Sequence, residues 1–188
     1  MKLPIFTLPI FLLPQGITRI RVYEPRYLKL VRIASQNDGF VIYHGNKTVD
    51  NVGSWVNIVN FEQGDDDVLI IDVECRSLVG LSEFEADEEQ LSFATINKIT
   101  HWFDGKTQQQ KVNDEIEREL SVALRAVFDE HSVLQNLYET KFLDSPYWTV
   151  ARWIEILPVS YADKRSFIAS DSYEQAKSFV YSVVVDKN

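Results

Sequence analysis

The chain has 188 residues, 45% of them hydrophobic and 25% charged, and its 19 Lys+Arg against 28 Asp+Glu leave a formal charge of −9. These values exclude a disordered chain, a collagen and a disulfide scaffold. They also weigh against a surface that traps polyanions everywhere, because nucleic-acid affinity needs cations against phosphates, while leaving room for a local basic patch. A chain of this length suits one domain, or a barrel and a bundle packed as one unit. The single cysteine, Cys75, permits no intramolecular disulfide and no cysteine-rich zinc site, which fits a reducing cytoplasm. The apolar run from Leu3 to Leu13 is broken by Pro4, Pro9 and Pro14 and has no small-residue cleavage site after it. It is therefore neither a signal peptide nor a membrane span. The expectation is a soluble, cytoplasmic protein.

Leu3 to Leu13, with its prolines, reads as an edge or irregular strand, since proline cannot donate to a ladder. Ile17 to Val22 alternates, with Arg19 and Arg21 on one side and Ile20 and Val22 on the other, which predicts a half-buried strand. Glu24-Pro25 opens a helix with proline in its first turn. Tyr27, Leu28, Leu30, Val31 and Ala34 form its apolar face, and Asn37-Asp38-Gly39 ends it. Strand signals follow at Phe40–Tyr43, Val52–Phe61, Val68–Val73, Cys75–Leu81 and Leu91–Phe103. Turns are expected at Gly45-Asn46 and Gly64-Asp65-Asp66-Asp67, and the whole suggests a small barrel or sandwich. Beyond Gly105 the pattern becomes helical, with Val112, Ile116, Leu120, Leu124 and Val127 on one face. Ser132 with Gln135, Ser160 with Asp163, and Asp171 with Glu174 look like N-terminal caps. Ser145-Pro146 starts a helix that stops at Pro158, and the last helix buries Ala176, Phe179, Val180 and Val183. The fold class is α+β: a β subdomain with one early helix over residues 1–105, then an α-helical bundle over 106–188.

Catalytic motifs are absent. Gly105-Lys106-Thr107 lacks the first P-loop glycine, since Thr100 stands there, and a glutamine run follows it instead of a helix. His44, His101 and His131 lie far apart and predict no metal site, and Asp65–Asp67 lacks the spacing of a calcium loop. Cys75, between Glu74 and Arg76, reads as a buried structural thiol. Trp148 and Trp153 are five apart, which predicts one facing the bundle and the other its rim. Trp102 and Phe103 are adjacent, and neighbours on a strand point to opposite faces, so one of them should be partly exposed.

The order of motifs resembles a known family. Leu3-Pro4-Ile5-Phe6, Leu8-Pro9, Phe11, Leu13-Pro14, Gly16 and Val22-Tyr23-Glu24-Pro25-Arg26-Tyr27 look like the start of the N-terminal, substrate-binding domain of the ATP-dependent protease Lon, in its standalone form. Val52–Ile58 is similar to the family's Gly-Thr-x-Ala-x-Ile strand, and Val68–Arg76 to the strand leading to its Arg-Phe motif. Val73 replaces a usual glycine there, and Ser77 a usual phenylalanine. Trp153 to Ala169 resembles the family's Leu-Leu-Pro…Glu-Lys-Gln stretch. The resemblance is closest over 3–80, looser over 145–180 and faint between. It implies a PUA-like β-barrel followed by helices, together one Lon N-terminal-like domain, with no ATPase or protease part and no cofactor or metal.

The implied function is a non-catalytic module that binds unfolded or exposed polypeptide segments, working with a protease or chaperone system, as a monomer or weak dimer and away from membranes. Tyr23, Tyr27, Trp55, Trp102 and Phe103 are the candidate contacts, because aromatics dominate interface energetics. Core packing is the simpler account of Tyr27 and of Trp55 taken singly. The alternative is an RNA-binding PUA-like module using Arg19, Arg21, Arg26, Lys29 and Arg32, a run with only Glu24 as an acid. Its counter-reading is ordinary surface charge balanced by acids from elsewhere. A basic groove would favour RNA, and an apolar cleft would favour polypeptide.

Overall fold

A computed structural model describes residues 1–45, 51–65, 68–104 and 112–185. Asn46 and Asp66-Asp67 of the expected turns, and the Gly105-Lys106-Thr107 fragment with the glutamine run after it, lie outside them. The chain divides into two compact units, Met1–Ile99 and Thr100–Asn188.

The first unit is a six-stranded mixed sheet with one helix. Its elements are β1 (Lys2–Thr7), β2 (Ile17–Val22), α1 (Pro25–Gln36), β3 (Phe40–Tyr43), β4 (Val52–Gln63), β5 (Leu69–Ala86) and β6 (Ser92–Lys98). The order is β2-β5-β4-β3-β1-β6, and β5 also pairs with β6. Hydrogen bonding therefore runs round five strands, with β2 attached outside that ring along the first half of β5. This is a six-stranded mixed sheet rather than a clean barrel.

Strand β1 corrects the proline argument. It lies between β3 and β6, not at an edge. Met1 O accepts from Ile96 on the β6 side, and Leu8 N–H donates to Tyr43 on the β3 side. Alternation therefore turns the Pro4 nitrogen toward β3, where pairing begins only at Ile5. No ladder bond is lost. The strand stops at Thr7, and the segment with Pro9 and Pro14 crosses irregularly to β2.

Two apolar clusters cover the two faces of β1 and β3. Phe6, Phe40 and Ile42 enter one cluster with Ile20, Leu30, Val56 and Ile71. Ile5, Val41 and Tyr43 enter the other with Val79 and Ala94. Burial on both faces is why these strands read as continuous apolar runs instead of alternating. Helix α1 buries Tyr27, Leu30, Val31 and Ala34, but Leu28 is 36% exposed, off the predicted face. Gly39 follows the helix with φ +78°, and a Cβ there would lie 2.0 Å from Val56 O. Only glycine fits that turn.

The two expected strands at Val68–Val73 and Cys75–Leu81 are one 18-residue strand, β5. It stays continuous because a bulge at Arg76 absorbs the irregularity where Val56↔Cys75 gives way to Trp55↔Ser77. A second bulge, at Val59 on β4, separates Ile58↔Val73 from Asn60↔Asp72. It puts Phe61 opposite Ile71, on the face of Ile58 rather than the opposite one predicted by simple alternation.

The second unit contains α2 (Glu115–Glu130), α3 (Ser132–Leu137), α4 (Pro146–Ile156), α5 (Tyr161–Ser166) and α6 (Tyr173–Val184). Asp114, not Val112, marks the start of α2, its side chain accepting from the Glu117 N–H at 2.8 Å. The Ser160/Asp163 capping box forms as expected. The other two do not. His131 is the N-cap of α3 and Ser172 that of α6, both without a side-chain cap bond. Helix α6 buries Ala176 and Val180, while Phe179 and Val183 are half-buried.

Helix α4 is buried almost all round, from Trp148 to Ile154. Hence both Trp148 and Trp153 are interior, and neither forms a rim. Trp148 sits 5.9 Å from Phe128, 5.7 Å from Tyr138 and 6.2 Å from Phe142, and Trp153 Nε1 donates to Leu120 O at 3.0 Å. Among the described residues no helix is long and apolar enough to cross a membrane.

Candidate functional site

Strand β2 and helix α1 carry the five candidate cations, and the structure brings acids to three of them. Arg19 grips Asp72 through two bonds of 2.7 and 2.9 Å and faces Glu62 at 3.4 Å. The Asp72 carboxyl is held below its ordinary range chiefly by the Arg19 hydrogen bond, against the opposing effect of burial. Arg26 pairs with Glu24 at 2.8 Å. Lys29 reaches Asp87 at 2.8 Å and Glu89 at 3.0 Å, and those bonds raise its pKa. Arg21 and Arg32 are exposed and have no partner among the described residues. Among the described residues, Glu24 and acids from β4, β5 and the segment before β6 thus interrupt the basic run. That is the outcome expected of ordinary surface charge.

The five candidate aromatics separate by burial. Tyr23, between β2 and α1, is 69% exposed. Tyr27 is 8% exposed and stacks on Phe6 with centroids 3.9 Å apart, under the Arg26 guanidinium. Trp55 is half-buried, its Nε1 donating to Asp38 O at 2.5 Å and its ring covered by Arg76 at 4.4 Å. Trp102 and Phe103 are both buried. The expectation that one of them is exposed assumed a strand, but β6 ends at Lys98 and the pair lies in a turn, where neighbours need not diverge. Trp102 Nε1 donates to Phe167 O at 2.7 Å, and its ring lies 5.3 Å from Tyr173. Tyr27, Trp102 and Phe103 are therefore interior side chains.

The exposed apolar groups that sequence reasoning missed are Leu28, Val59 and Phe61 in the first unit and Val122 and Val133 in the second. Leu28 sits on a helix face that reads as core, and Val59 and Phe61 in a strand signal, while Val122 and Val133 lie off the apolar helix periodicity. For Phe61 the signal was the length of its strand: β3 covers β4 only from Gly53 to Val56, so the remainder outruns the sheet. The first unit has a groove of about 300 Å³ beside Tyr43, Phe84 and Ser92. The second has one of about 450 Å³ floored by Trp153 and Leu157. Neither brings together acid–base or nucleophilic groups, and among the described residues no three His, Cys, Asp or Glu side chains could hold a metal. Cys75 is buried, with Sγ 3.6 Å from Leu12 O.

The second unit holds a polar cluster that the sequence did not announce. Glu117 accepts from Tyr173 Oη at 3.0 Å and from the Asn113 N–H at 2.8 Å. Lys177 lies 2.9 Å from both Asp114 and Glu174. Burial pulls Lys177 down, but these hydrogen bonds outweigh it and its pKa is raised. Burial and the Glu117 charge push the Tyr173 phenol up. His101 is buried, its Nδ1 accepting from the Phe103 N–H at 3.2 Å while Nε2 lacks a partner among the described residues. Burial lowers its pKa from 6.5 to about 4. The carboxylates and Lys177 tie helix ends together.

The family model described as the substrate-binding domain of ATP-dependent protease La (LON) matches residues 2–185. Two solved structures share the fold. A Lon N-terminal domain protein from Xanthomonas campestris is 21% identical with a TM-score of 0.68, covering 96% of this chain and 97% of that one. The N-terminal domain of the Mycobacterium avium complex Lon protease is 10% identical with a TM-score of 0.66, covering 100% of each. No curated protein sequence matches the chain.

Proposed function

Since the chain belongs to the LON substrate-binding domain family, we propose that it is a non-catalytic polypeptide-binding module that holds unfolded or exposed segments of other proteins. The carrying observation is the extent of the match, which takes in the sheet and the helices alike rather than one motif. The neutralised cations on β2 and α1 support polypeptide over RNA, because phosphate binding needs unpaired charge. The ring of five strands with β2 outside it is read as a PUA-like barrel. Tyr23 is the leading contact residue of the original five, as the one most exposed, with Trp55 second. Captured segments pass to a protease or chaperone system in the cytoplasm.

Reduced, carboxymethylated lactalbumin is a permanently unfolded chain and serves as the probe. Titration calorimetry should show it binding while native lactalbumin does not. Equal binding of both forms, or of neither, would remove the reading. Stronger binding to a structured RNA than to the unfolded chain would replace it with the RNA alternative.

A further inference from the structure

The far half of β4 is a sheet edge with no further strand on it among the described residues. β5 occupies one side of β4 along its whole length, while β3 occupies the other only through Phe40↔Val56. From Asn57 to Gln63 no strand and no backbone hydrogen bond meets that outer side among the described residues. Every second residue there turns an N–H and a C=O to solvent. Of the features that blunt natural edges, Asn57–Gln63 carries the bulge at Val59 and the charge of Glu62 but neither proline nor lysine.

Side chains add direction to this edge. Phe61, Ile71 and Ile20 lie opposite one another across three strands. Ile71 and Ile20 are buried in the core, and Phe61, at the end of the row, is 53% exposed. Val59, pushed out by the bulge, is 51% exposed. A further strand laid on this edge would place its own inward side chain against Phe61 and lengthen the apolar row. Its outward side chains would meet Glu62, which Arg19 approaches at 3.4 Å, and Asp65 lies at the strand's far end. Residues 57–65 hold two acids, Glu62 and Asp65, and no base, and Asp66 and Asp67 come next in sequence.

We infer that the outer edge of β4, from Ile58 to Gln63, binds an extended polypeptide segment by strand addition, and that it selects segments alternating apolar with basic residues. Main-chain hydrogen bonds supply sequence-tolerant affinity, which a module for varied clients needs, and Phe61 with the acids supplies the preference. This rests on the polypeptide-binding reading above and names its surface and mode.

The test uses the full chain with two labelled peptides, one alternating valine and lysine, the other valine and glutamate. Fluorescence anisotropy measures affinity, and amide hydrogen exchange locates the contact. The lysine peptide should bind more tightly and slow exchange within residues 58–63. Phe61→Ser should weaken it about tenfold, as for a central interface anchor. Glu62→Lys should shift preference toward the glutamate peptide, and circular dichroism checks that both variants fold. Binding without protection at 58–63 and unaltered in Phe61→Ser overturns the edge and leaves the general reading standing. Failure of both peptides while carboxymethylated lactalbumin is still held does the same, and loss of all three ends both. Protection of the edge that rises with protein concentration alone, without peptide, would make the occupant a second copy of the chain and overturn the proposal.

Discussion

The two units bury charge differently. Among the described residues of the sheet unit, Asp72 is the buried ion, and its partner Arg19 is half in solvent. The helical unit buries Glu117, Arg152 and Lys177, and also His101, whose pKa burial lowers to about 4. A sheet satisfies its backbone through ladders between strands, so its core can be apolar on both faces. Short helices leave orphan groups at every end, and buried side chains are recruited to meet them. Glu117 does this for Asn113, and Asp114 for Glu117. The sheet unit should therefore answer mainly to packing changes, and the helical unit to changes of charge and pH as well.

That contrast can be broken by mutation. The largest effect is expected at Trp148, 1% exposed and ringed by aromatics. Trp148→Ala should cost about 3–5 kcal/mol in urea unfolding. A loss below about 1 kcal/mol would mean that the cage around α4 is not packed as described. Next is Glu117→Ala, which strands the Tyr173 hydroxyl and removes one acid from Lys177. About 2–3 kcal/mol should be lost, against about 1 for Tyr173→Phe. Equal losses would show that the phenol alone matters.

The pH test is sharper. His101 takes its proton near pH 4 when folded and near 6.5 when unfolded, so the unfolded chain binds protons first as pH falls. The His101 contribution should be level above about 6.5, decline between 6.5 and 4, and be level again below, with roughly 3 kcal/mol at stake. His101→Asn keeps an acceptor for the Phe103 N–H, and its urea midpoint should lose that part of the slope. An unaltered slope would place the titration elsewhere. In the sheet unit, Asp72 is depressed in the folded state, so its contribution is present above the ordinary carboxylate range and fades as pH drops through the folded value. Arg19→Met should cost only about 1 kcal/mol, since the Arg19 side chain is nearly half in solvent. Smallest of all, Tyr23→Ala should shift stability by less than about 0.5 kcal/mol. A larger shift would give this exposed ring a structural role.

Much of the fold was legible in local signals. Pro25 and Pro146 start helices where their missing N–H is harmless, and Pro158 follows the end of α4. Ser160 and Asp163 close their box within four residues. Signals that depend on a partner were read less well. Ser132 and Asp171 looked like caps, yet neighbours one residue away took the position. Bulges at Arg76 and Val59 shift register through pairing between β4 and β5, so β5 read as two strands. The strand signal at Leu91–Phe103 ends in a turn, which lets Trp102 and Phe103 both turn inward.

The sequence by itself determined where most elements start and stop, the division into a sheet-rich and a helix-rich half, and a family likeness that the match over residues 2–185 bears out. These follow from backbone sterics, capping and periodicity, all set within a few residues. Only the tertiary structure decided which charged and aromatic groups remain free. The acids that quench Arg19 and Lys29 lie 53 and 58 residues away, and Trp102 is sealed by a carbonyl 65 residues away. An exposed Phe61 likewise depends on how far β3 extends beside β4. Such pairings form between segments distant in the chain, and short-range pattern carries no record of them.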